Sequence, residues 1–147
     1  MKIEKVSEEI ACEYFKQGID CSQIVMGYAA EKLGICSDNA LKISAAFGGG
    51  MWAGRTCGCV TGALMALGLK YGYCEPNSTE QKNILLGKKA EFEQKFIAEN
   101  KSIVCREILS YDLSKPEEMS LIMEKNLLFT ICPKAACSAC KILDEML

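Results

Sequence analysis

The chain has 147 residues, half of them apolar and 24% charged, with a net charge of −2. That length suits one hydrophobic core and is short for two, and the absence of a basic cluster leaves nothing to neutralise phosphates, so nucleic acid is not an expected partner. Ten cysteines and no histidine exclude histidine-ligated haem, Rieske centres, histidine-containing zinc sites and Ser-His or Cys-His nucleophile pairs.

In chain order, Ile3, Val6, Ile10 and Tyr14 recur at helical steps, and Gly18 is a natural stop. Asp20 and Gln23 form a capping-box pattern ahead of a second helix that Gly34 closes. Ser37 or Asp38 is expected to cap a third. The stretch from Gly48 to Gly58 holds too many glycines for regular helix. It reads as a loop free to adopt unusual backbone angles or to approach something closely. A fourth helix carries Leu64, Leu67 and Tyr71. Gly58, Gly62 and Ala66 leave one face of it bare, for close helix packing or for a ligand.

Residues 78–100 read as a long charged helix with Ile84, Leu85, Phe92, Phe96 and Ile97 turned inward. A short helix surrounds Cys105. Ser114-Lys115-Pro116-Glu117 combines a capping box with an early proline, and Met119, Ile122, Met123 and Leu127 follow. Pro133 is expected to begin the last helix. No alternating strand pattern appears, so the expected fold is all-α, a single compact bundle over residues 1–147 with a glycine-rich loop at the cysteine site. The first 18 residues lack a signal-peptide pattern. The longest apolar stretch, 60–69, is too short to span a bilayer. The expected location is therefore the cytoplasm, without membrane insertion.

There, ten cysteines suggest metal ligation or redox chemistry more than a disulfide scaffold. Cys21, Cys57, Cys105 and Cys132 each sit at the edge of a predicted element. Helix N-termini offer positive potential and free N–H groups, which stabilise thiolates and tune cluster sulfurs. These four are the expected redox-active or metal-ligating residues. Cys59 forms a Cys-x-Cys pair with Cys57; on a regular helix the two would point apart, on a loop they could share a metal. Cys132, Cys137 and Cys140 match the Cys-x4-Cys-x2-Cys start of plant-type ferredoxins, although the alanines between them favour helix. Cys12, Cys36 and Cys74 read as structural.

The run Cys57-Gly58-Cys59-Val60-Thr61-Gly62, continued by Ala63 to Gly72, resembles the core motif of the C_GCAxxG_C_C family. Those are redox-active proteins of about this length, named for a CGAxxG motif and four scattered cysteines. Cys21-Ser22-Gln23, Phe47-Gly48-Gly49-Gly50-Met51, Cys105-Arg106-Glu107 and Cys132-Pro133 extend the resemblance from about Cys21 to the C-terminus. It implies that the family's four cysteines fall on Cys21, Cys57, Cys105 and Cys132. Cys59 departs from the motif, which has alanine there. A related domain in split-Soret cytochromes c implies a scaffold that accompanies electron transfer.

Three chemistries compete. An iron–sulfur cluster on the four cysteines would carry electrons, with Gly48, Gly49, Gly50 and Gly58 letting backbone N–H groups reach the sulfides and Phe47, Met51 and Trp52 excluding water. A thiol–disulfide protein or sensor would use the same cysteines without metal, with Arg55 either an aid to thiolate formation or a solvated loop residue. A structural zinc site is the third, less favoured because all-cysteine zinc sites usually draw on two close Cys-x2-Cys pairs. An electron carrier needs a redox partner protein. A homodimer is compatible with the chain, but no feature demands it.

Overall fold

The computed structural model describes residues 1–147. The chain is all-α, with helices α1 (Glu8–Lys16), α2 (Cys21–Leu33), α3 (Ser37–Ser44), α4 (Gly58–Tyr71), α5 (Thr79–Asn100), α6 (Cys105–Leu109), α7 (Pro116–Glu124) and α8 (Ile131–Met146). The first helix starts later than its apolar spacing suggests. Ser7 caps it, its Oγ accepting from Ile10 N–H at 3.2 Å, while Ile3 is fully buried on the preceding non-helical segment. At α2 the expected cap is present: Gln23 Oε1 accepts from Asp20 N–H at 3.0 Å, and Gly34 ends the helix at φ +68°.

The centre is α2 against α4, both apolar nearly all round, as buried helices are. Gly62 answers the question of the bare face on α4. A Cβ there would stand 2.7 Å from the Ser22 carbonyl oxygen, so the face is helix packing. Ser22 Oγ donates to Ser44 O at 2.7 Å and ties α3 to the pair. α5 and α8 close the other side. Phe92 and Phe96 are fully buried and stacked, with ring centroids 5.9 Å apart. Ile84 and Ile97, expected inward, are exposed, because a 22-residue helix against one flank of the core buries only a narrow stripe. Met123 is likewise exposed. Lys115 rather than Ser114 occupies the cap of α7, with Pro116 first in the helix. α8 begins two residues before Pro133, whose ring sits in the first turn where no N–H is needed. No single helix is long and apolar enough to cross a membrane.

One surface cluster joins α2 to α8. Asp144 Oδ1 accepts from the Tyr28 hydroxyl at 2.6 Å and lies 2.9 Å from Lys32 Nζ. Burial alone would raise this carboxyl, but the Tyr28 and Lys32 contacts outweigh it and hold it below its ordinary value. Such a depressed group stabilises the fold above its unfolded pKa, and the gain is lost as pH falls through the folded one. Asp144→Ala should therefore cost about 1 kcal/mol at neutral pH, discounted for partial exposure. The gap to the parent should narrow as pH falls below the ordinary carboxylate range, as urea titrations at several pH values would show.

Candidate metal–thiol centre

The site lies where the ends of α2, α4, α6 and α8 meet. Cys21 is the first residue of α2, Cys57 caps α4, Cys59 is second in α4, Cys105 opens α6 and Cys132 is second in α8. All five line one cavity of about 200 Å³. Its walls are apolar apart from Asp20, with Phe15, Ile108, Leu113 and Phe129 among them.

Local backbone chemistry builds this convergence. Cys57 N–H donates to Ile103 O at 2.7 Å and Cys105 N–H to Arg55 O at 2.6 Å, around an antiparallel bridge between Thr56 and Val104. That bridge fixes two cysteines from distant sequence side by side. Gly58 lets α4 meet α2: a Cβ there would stand 2.4 Å from Cys21 Sγ and 2.9 Å from Phe47 O.

The glycine-rich segment is a left-handed turn. Gly49, Gly50, Met51 and Trp52 all have φ between 53° and 63°, and Arg55 N–H closes the turn onto Gly50 O at 3.1 Å. Holding Met51 and Trp52 there costs about 1–2 kcal/mol each. In return the turn brings Gly49 and Trp52 to the cavity wall beside Cys21.

Three sulfurs form the tightest group. The Sγ atoms of Cys21, Cys57 and Cys59 all lie within 4.8 Å of one another. Cys105 and Cys132 share the cavity but stand outside that group. The Cys57 and Cys59 thiols, and then the backbone N–H groups of Gly49 and Ser22, lie near enough to Cys21 sulfur to favour its ionised form. Together they hold Cys21 well below its ordinary value despite burial. The Cys57 and Cys59 thiols are pushed well up in consequence. Burial, then the charge on Cys21, pushes Cys105 up to about 12 and raises Cys132 as well. Cys21 is thus the cysteine of the five whose ionisation is favoured, among four thiols that resist it in an apolar cavity. A bound cation would reverse that resistance, since metal ligation deprotonates thiols.

Several expected features lie elsewhere. Gly49 and Gly58 line the cavity; Gly48 instead packs on Asp20, and Gly50 turns against the Arg55 backbone. Of the three proposed shields only Trp52 borders the cavity, and it is half-exposed; Met51 is exposed and Phe47 is not part of the wall. The apolar wall comes instead from side chains of α1, α6 and the 109–129 region, whose signal was the apolar content of Ile108-Leu109 and Leu128-Phe129. Arg55 is a solvated residue. Cys137 and Cys140 are buried within α8 away from the cavity, so the ferredoxin-like spacing forms no ligand loop. Cys12 is half-buried, its thiol pointing to Phe129 O. Cys36 and Cys74 are exposed instead of packed.

The arrangement can hold a metal through sulfur alone. Comparison with curated proteins and with solved structures gave no match. A protein family described as "Putative redox-active protein (C_GCAxxG_C_C)" matches residues 19–146. The match takes in all five cavity cysteines, and the chain is a member of the C_GCAxxG_C_C family of redox-active proteins.

Proposed function

We propose that the chain is an electron-transfer protein in which Cys21, Cys57, Cys105 and Cys132 hold an iron–sulfur cluster. The observation that carries this reading is that these four sulfurs, from four distant stretches, line one apolar cavity. The donor set fits: it is all sulfur, and four thiolates are the usual ligands of such clusters. The spacing also favours a cluster over zinc. Four sulfurs around one zinc ion, at bonds near 2.3 Å, would be about 3.8 Å apart, whereas Cys105 and Cys132 stand outside the close group.

When bound, the cluster would supply a one-electron couple. The protein's part is to set and protect it. Gly49, on the cavity wall beside Cys21, would offer its N–H to the sulfur, which favours the reduced, more negative state. The apolar wall keeps water away, and half-exposed Trp52 marks the side nearest a redox partner protein. Anaerobic reconstitution with iron and sulfide should give visible absorption that dithionite bleaches reversibly. A protein that stays colourless overturns the reading.

A second reading rests on the close group. Cys21, whose ionisation its neighbours favour, is near enough to Cys57 and Cys59 to form a disulfide after modest movement. Thiol counting and intact mass before and after mild oxidation would reveal a reversible loss of two thiols.

A further inference from the structure

Cys59 is the sulfur that four-cysteine ligation leaves unused. It is fully buried in the first turn of α4. A lone buried thiol is normally a small hydrophobe, but this one faces two others, all three sulfurs within 4.8 Å. Three sulfurs arranged evenly around one ion, at metal–sulfur bonds near 2.3 Å, would be about 4 Å apart. The group needs to contract little to reach that spacing.

The donors select the ion. No imidazole exists in the chain, and the triad contains no oxygen. A structural zinc site completes its tetrahedron with a fourth protein ligand, and the next sulfurs, Cys105 and Cys132, lie outside the group. A purely thiolate, low-coordinate site suits monovalent copper.

We propose that the cluster-free chain binds one monovalent copper ion through Cys21, Cys57 and Cys59, without Cys105 or Cys132. The thiol protons pass to solvent and no oxidation state changes. This goes beyond the cluster reading and does not require it. The two occupants share Cys21 and Cys57, so they exclude each other.

The test titrates the reduced, metal-free full chain anaerobically with Cu(I) in competition with bicinchoninate. X-ray absorption at the copper edge then counts the sulfurs. One copper per chain with three sulfurs is expected. Cys59→Ala, which restores the residue of the family motif and should fold, is expected to lose affinity by about a hundredfold or more, since even outer-shell partners are worth 10–100-fold. Cys105→Ala and Cys132→Ala should stay close to the parent. Four sulfurs in the parent, equal losses in all three variants, or failure to retain copper against the competitor would each overturn the proposal. Iron and sulfide reconstitution of Cys59→Ala separates the two ideas. It should load like the parent; if neither chain loads, the cluster reading falls and the copper result stands by itself.

Discussion

Gly58→Ala is expected to cost about 2–3 kcal/mol, the scale of overpacking in a close-packed interior, and to remove most of the site's metal binding. The new methyl would stand 2.4 Å from Cys21 Sγ, 2.9 Å from Phe47 O and 3.0 Å from Ser22 N. The sulfur can rotate away, but the other two contacts are backbone. Rotation also takes Cys21 out of its group with Cys57 and Cys59, so stability and loading fall together. Gly87 supplies the control. It lies exposed within α5 with nothing inside 4 Å of a built Cβ. Gly87→Ala should raise stability by about 0.5–1 kcal/mol, the ordinary helix preference for alanine, and leave loading unchanged. Urea denaturation under reducing conditions and metal content report both quantities.

Phe96→Ala should be more damaging to the fold and nearly silent at the site. Phe96 is fully buried, stacks on Phe92 and does not border the cavity. Removing such a ring costs about 3–5 kcal/mol, a large share of the roughly 5–15 kcal/mol that holds a domain folded. The denaturation midpoint should drop sharply while metal per folded chain stays constant. Placed beside Gly58→Ala, this variant separates damage to the core from damage to the sulfur centre.

What could be read from the sequence was local. Asp20, Gln23 and Gly34 announced the limits of α2 because caps act within one turn. Cys21, Cys57, Cys105 and Cys132 drew attention because glycine, proline or capping residues adjoin them. The relation of Cys59 to Cys57 was less legible. Residues two apart on a helix point to different sides, but Cys57 is the cap, at φ −53° and ψ 135°, so its side chain obeys a different direction. The left-handed turn left no mark beyond glycine content, since Met51 and Trp52 ordinarily avoid such angles. Phe15, Leu113 and Phe129 reach the cavity only through the packing of elements remote in sequence, which no local pattern records. Ile84 and Ile97 misled because a long helix repeats its apolar period past the stripe that the core can cover.

The claim underlying all of this is that one cavity gathers sulfurs from four parts of the chain to hold a metal–sulfur centre. The most direct measurement is iron and acid-labile sulfide per chain after strictly anaerobic purification, for the parent and for Cys105→Ser and Cys132→Ser. The account predicts iron and sulfide together in the parent and loss of both in each variant, even though these two residues lie outside the closest group. Iron and sulfide absent from the parent, or present and indifferent to both substitutions, would contradict it.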